Sequence, residues 1–338
     1  MTVGQWLDTW LDTYARIRVR QNTFQGYQLV VNSHLKPTIG EFILKDLQPQ
    51  QVQKMLNNKL ASGRIRPSSE GNNGGNLSPR MVEYIYSVLH MALEQAVKNG
   101  LVARNVCDAV DKPKKTKHEF MPWTTEQTNQ FLSSVKGSRL FPLYMVAWGA
   151  GLRRSEILGL KWEDVDLKKG TLSVRRTLVR VKGDPPYKFG EPKTKKSQRT
   201  IPLPYPVTQA LKAWKKRQAE EKLLWNGLYI NSVLEKRPEY NPLNLIFCNE
   251  IGQPTNPDFI SNAFRRDLET AELPKVRFHD LRHGHATQLL ELGEDIKVIS
   301  DRLGHSTITL TADTYSHVRE KLQREASNKL EQILDIGQ

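Results

Sequence analysis

The chain has 338 residues, 38% of them hydrophobic and 25% charged, and its 50 Lys and Arg against 36 Asp and Glu leave a net charge of +14. That length predicts two domains rather than one, and no apolar run is long enough to span a membrane. Cys107 and Cys248 stand far apart and outside any C-x-x-C pair, which excludes a disulfide frame and a zinc module. The positive excess, with a sequence pI near 9.6, predicts a polyanionic partner, although a ribosomal, RNA-binding or membrane-surface protein would carry the same charge. Met1 leads into a polar amphipathic stretch with no export signal, so a cytoplasmic chain is expected.

In chain order, Thr2 is placed to cap a helix on which Val3, Trp6, Leu7, Trp10, Leu11, Tyr14 and Ile17 recur at steps of three and four. Further helical patterns run from Gln48 to Leu60 and from the Ser78 cap and Pro79 through Val82, Ile85, Leu89, Leu93 and Val97. Between them, Ser62 to Ser78 is rich in Gly, Asn, Ser and Arg and reads as a surface loop on which Arg64 and Arg66 can ride to a phosphate backbone. The result is a small helical bundle over residues 1–110. The run D-K-P-K-K-T-K from Asp111 to Lys117 carries five charged groups and no apolar residue, and marks a linker over 111–119.

The second domain is expected over 120–338, opened by a capping box at Thr124 and Gln127. It reads as mostly helical, with β-branched residues from Thr171 to Val181, a turn region at Gly183, Asp184, Pro185 and Pro186, and a further strand from Arg199 to Leu203. The predicted fold class is therefore mainly α, with an α+β second domain holding one short antiparallel sheet.

Four segments of that domain carry more than packing. In G-A-G-L-R-R-S-E-I-L, Arg153 and Arg154 follow a Gly-containing turn and open a helix, with Glu156 three positions on. In H-D-L-R, the i, i+3 spacing puts His279 and Arg282 on one helix face, where both can meet one phosphate. L-G-H at Leu303 to His305 precedes Tyr315 by ten residues, and G-E-P-K-T-K-K-S-Q-R-T-I-P-L-P from Gly190 places Lys193, Lys195 and Lys196 just before a strand. Singly, each has a plain structural reading: a salt-bridged arginine, a satisfied histidine, three solvated lysines at a hairpin tip. His279, His283 and His285 raise a metal site, but no acidic third ligand stands at a suitable spacing, so neither a metal nor another cofactor is expected.

The ordered set, an arginine after a Gly-Leu turn, then H-x-x-R, then L-G-H, then a tyrosine, resembles the catalytic domain of tyrosine recombinases over residues 123–318. The N-terminal bundle resembles the core-binding domain of the same family. The resemblance implies an enzyme that cuts and rejoins double-stranded DNA, with Arg153, Lys193, His279, Arg282, His305 and Tyr315 as its catalytic set, and Lys193 as the lysine that relatives carry on a β-turn. It implies a tetramer on two DNA sites, an accessory protein that sets direction, and a terminal helix, here striped by Leu322, Ala326, Leu330 and Ile333, that docks on a neighbouring protomer. Relatives that integrate mobile elements often carry an arm-binding domain ahead of the bundle, whereas this chain starts at the bundle itself.

The residue types suit that reaction. A phosphodiester is a hindered anion, and two guanidiniums neutralise charge on its nonbridging oxygens without ever losing a proton. A tyrosine that attacks phosphorus keeps the bond energy in a phosphotyrosine and leaves the break resealable. Two other readings fit parts of the sequence: a type IB topoisomerase-like enzyme, which shares nucleophile and basic cluster, and a DNA-binding regulator without activity.

Overall fold

The computed structural model describes residues 1–63, 75–113, 122–181, 186–191, 195–225, 244–305, 307, 324, 327, 328 and 331. The chain divides into two compact units, Met1–Glu119 and Phe120–Gln338.

The first unit is helical. Thr2 accepts from the Gln5 amide while Gln5 Oε1 accepts from the Thr2 amide, closing a capping box on the helix Val3–Trp10. Val3, Trp6, Leu7, Trp10 and Leu11 are buried as the spacing predicts, and Trp6 Nε1 donates to the Ala92 carbonyl at 2.8 Å. Ile17 departs from the pattern, being 81% exposed. A π turn over Leu11–Ala15, in which the Arg16 amide donates to Leu11 O, adds a residue to that turn and rotates the apolar stripe away from the core before Ile17 is reached. Helices Gln21–Val30, Pro49–Ser62 and Pro79–Lys98 complete the unit. Val82, Ile85, Leu89 and Leu93 of the last are buried against Leu35, Val52 and Leu56. Arg64 and Arg66 lie outside the described residues.

The second unit is built on helices Thr125–Ser134, Phe141–Ala150, Tyr205–Leu224 and Pro257–Thr270, with Phe131, Tyr144, Phe264 and Phe278 in one aromatic core. Among the described residues the β region forms two sheets, where the sequence suggests one. Strands β1 (Val165–Asp166), β2 (Thr171–Val174) and β5 (Arg199–Pro202) make an antiparallel sheet in the order β1-β2-β5, with Leu172 opposite Ile201. Strands β3 (Thr177–Arg180) and β4 (Tyr187–Gly190) make a separate hairpin. The break between β2 and β3 falls at Arg175 and Arg176, where Arg176 pairs with Glu163 and the buried Asp164 and so anchors the chain as it leaves the first sheet.

Two further helices carry the candidate residues, Asp280–Glu291 and Ile296–Leu303, packed together through Ala286, Leu290, Ile299 and Leu303. Gly284 lets the first of them approach the 141–150 helix: a Cβ there would fall 2.6 Å from the Trp148 ring.

Candidate active site

The helix Ile296–Leu303 ends in a left-handed Gly304, with the Gly304 amide donating to Asp301 O and the His305 amide donating to Ser300 O, both at 3.0 Å. This is a Schellman termination, and it leaves the last carbonyls of the helix without helical partners. Three arginines supply those partners in register. Arg199 Nε donates to Arg302 O at 2.6 Å, Arg282 Nη2 to Leu303 O at 2.7 Å, and Arg153 Nη2 to Gly304 O at 3.2 Å. The partial negative charge of a helix C-terminus favours guanidinium there.

Arg153 stands immediately before the helix Arg154–Leu158, after the left-handed turn at Gly151. Its amide and Nη1 both donate to Glu156, at 3.0 and 2.7 Å. Glu156 is 1% exposed; burial alone would raise its pKa, but Arg199 first and Arg153 next outweigh it and hold the carboxylate below its usual range. Arg154 turns away, donating to Pro257 O and Ser261. Arg282 Nη1 donates to Gly151 O at 2.7 Å, so one guanidinium staples the Gly151 turn to the end of the 296–303 helix. The two arginines differ in access: the Arg153 side chain is 35% exposed, while Arg282 is buried.

His305, the second residue past the helix, has its pKa pushed down to about 4, by partial burial first and then by Arg282, Arg153, His283 and Arg199. His279 immediately precedes the helix Asp280–Glu291 and meets His283 edge to face, 5.1 Å between ring centroids. Its pKa is also lowered, by desolvation first and then by His283 and Arg282. Both rings are therefore neutral near pH 7, each able to accept a proton at one nitrogen and donate at the other.

The structure thus brings Arg153, Arg282 and His305 to one helix end, with His279 one turn before Arg282. Lys193 and Tyr315 lie outside the described residues, as do the side chains of Leu322, Ala326, Leu330 and Ile333. Lys195 and Lys196 open a 3-10 turn, Lys195–Ser197, that leads into β5. His285 faces away from the other histidines: its Nε2 accepts from Arg302 Nε at 3.1 Å, and burial followed by the Arg302 charge pushes its pKa down to about 3. Among the described residues no group of three His, Cys, Asp or Glu is placed to hold a metal ion.

Sequence reasoning misses Arg199 and Arg302. Arg302 Nη2 donates to Gly149 O at 2.8 Å and to Pro202 O at 3.1 Å, joining the helix end to the 141–150 helix and to β5. The nearest signal for the buried network is Glu156 itself, a carboxylate at helical spacing from Arg153.

Gly151 makes this convergence possible. At φ +63°, a Cβ on it would lie 2.6 Å from His285 Cδ2 and 2.9 Å from Leu303 Cδ2. Gly151→Ala should lower stability by about 1–3 kcal/mol, the scale of a strained left-handed residue. A denaturant midpoint equal to that of the unsubstituted chain would show that the turn tolerates a side chain.

Residues 123–321 match the phage integrase family, and residues 2–60 match the SAM-like N-terminal domain of phage integrases. A XerC-like tyrosine recombinase of Caldanaerobacter subterraneus subsp. tengcongensis is 30% identical, over 99% of this chain and 83% of that one. The ICEBs1 integrase of Bacillus subtilis is 28% identical, over 93% and 79% of the two chains. The Tn1549 transposon integrase, solved with a circular intermediate DNA, shares the fold with a TM-score of 0.74 at 23% identity, over 96% of this chain and 99% of that one.

Proposed function

The chain belongs to the phage integrase family of tyrosine recombinases and is a site-specific DNA recombinase, and from that premise we propose that Tyr315 is its nucleophile, acting on a phosphate held by Arg153, Arg282 and His305. The observation that carries the proposal is the placement of these three groups at one helix end, with Arg153 and Arg282 bonded to the successive carbonyls of Gly304 and Leu303. Arg153, the more exposed, meets the nonbridging oxygens directly, and Arg282 adds fixed charge behind it. His305, neutral, donates a further hydrogen bond.

The tyrosine Oη attacks phosphorus while His279, also neutral, takes the phenol proton. One P–O bond forms and the bond to the 5′ oxygen breaks, that oxygen leaving with a proton from Lys193. The products are a 3′-phosphotyrosine and a free 5′ hydroxyl, which attacks the phosphotyrosine of the partner strand and releases the enzyme. Each active site cuts one strand, so exchange between two duplexes requires four copies of the chain. One phosphodiester replaces another, so the chemistry has no intrinsic direction, and an accessory protein supplies it.

In this reading, residues 1–110 form the core-binding domain, 111–119 the linker and 120–338 the catalytic domain. The +14 net charge supports double-stranded DNA as the partner. The similarity to the ICEBs1 integrase supports integration and excision of a mobile element, and the reading places that reaction in the cytoplasm on nucleoid DNA.

Because guanidinium groups supply the stabilising charge, a nicked duplex carrying the recombination site should trap a denaturant-resistant protein–DNA adduct in excess chelator. Strict dependence of that adduct on a divalent ion would overturn the assignment of charge stabilisation to the arginines.

A further inference from the structure

We propose that Arg199 is a positioning residue of the recombination site: its guanidinium ties the Glu156 carboxylate to the end of the 296–303 helix and so fixes His305 and Arg153 relative to one another. The inference rests on the roles proposed above for those two residues.

Arg199 opens β5, and its side chain is 8% exposed, so it is too enclosed to be a principal DNA contact. Its nitrogens reach three different pieces of chain. Nε donates to Arg302 O at 2.6 Å, Nη2 to Glu156 Oε2 at 3.1 Å, and Nη1 to Ser197 O at 2.9 Å. Both Glu156 oxygens are shared by the two arginines: Oε1 accepts from Arg153 Nη1 at 2.7 Å and from Arg199 Nη1 at 3.5 Å, and Oε2 from the Arg153 amide at 3.0 Å and from Arg199 Nη2 at 3.1 Å. The path from the strand to Arg153 thus passes through one buried carboxylate, and the path to His305 through one carbonyl of the turn that precedes it.

A second observation is independent of these bonds. Gly304 lies against the same guanidinium: a Cβ there would fall 2.8 Å from Arg199 Nη1 and 3.1 Å from its Cδ. The left-handed turn that sends His305 out of the helix is therefore built in contact with Arg199. Its planar fork also matters, because donors fixed in one plane serve a carboxylate and two carbonyls together, whereas a lysine offers a single ammonium on a flexible stem.

Arg199→Lys and Arg199→Gln separate charge from geometry. Lysine keeps a positive charge facing Glu156, so it continues the test if the glutamine variant fails to fold. Each folded variant is assayed for DNA affinity, and separately for the single-turnover cleavage rate at saturating DNA, with Arg153→Ala as control. Misplacing a reacting group costs on the order of a hundredfold in rate, and we expect both variants to cleave about that much more slowly. Their Kd should stay within about threefold, since a buried side chain contributes little to counterion release.

Cleavage at the unsubstituted rate in either folded variant, with Arg153→Ala inactive, would overturn the inference while leaving the site reading in place. Loss of affinity with an unchanged cleavage rate would make Arg199 a phosphate contact and overturn it as well. If Arg153→Ala also cleaves normally, the site reading itself fails and this inference fails with it.

Discussion

Tyr315→Phe should bind the recombination site with unchanged affinity and leave no strand attached to protein after denaturation. The substitution removes one oxygen and no charge, so the electrostatic attraction to DNA is untouched while the atom that would bond phosphorus is gone. The adduct should fall by at least about 10⁴-fold, the scale on which removal of a nucleophile is felt. Tyr144, a fully buried tyrosine of the second unit, cannot take its place. Its hydroxyl donates to Asp267 at 2.6 Å, and burial and then that carboxylate push its pKa well up. An adduct that survives in Tyr315→Phe would remove Tyr315 from the mechanism.

Lys193→Ala should slow cleavage severely, by about 10²–10⁴-fold, the usual contribution of a positioned acid. Much of that loss should return on a substrate whose bridging 5′ oxygen is replaced by sulfur, since a thiolate leaves without needing a proton. Arg153→Ala should gain nothing from the same substrate, because the role proposed for its charge is on the nonbridging oxygens. Rescue of Lys195→Ala or Lys196→Ala in place of Lys193→Ala would move the acid along the turn, and rescue of none would take the role away from lysine.

Helices with one apolar face and a capping signal were legible in the sequence, those opened by Thr2, Ser78 and Thr124 among them. The helix Phe141–Ala150 offers no such stripe, because core surrounds it and Leu143, Tyr144, Val146 and Ala147 are all buried. The helix Gln21–Val30 is weakly apolar, and only Tyr27 and Val30 of it are buried. The second sheet was hidden because an ion-pair anchor at Arg176, with no apolar break, ends one strand and starts the next. At the candidate site, the order of short segments pointed to Arg153, Arg282 and His305, since their spacings are local. Arg199 had no local signal. Apart from the Ser197 carbonyl two residues back, its partners lie 43 residues away at Glu156 and 103 residues away at the Arg302 carbonyl, and only the folded chain joins them.

The seating of Arg199, Arg282 and Arg153 on the carbonyls of residues 302, 303 and 304 has a thermodynamic consequence. A free arginine side chain carries about 2 kcal/mol of rotamer entropy at room temperature, and binding sites that leave such chains loose forfeit it when the ligand arrives. Here the ordering accompanies folding, through bonds to backbone groups that are present with or without DNA. In the site reading proposed above, an incoming phosphate meets Arg153 and Arg282 with orientations already chosen, and the free energy of that contact is not reduced by having to choose them.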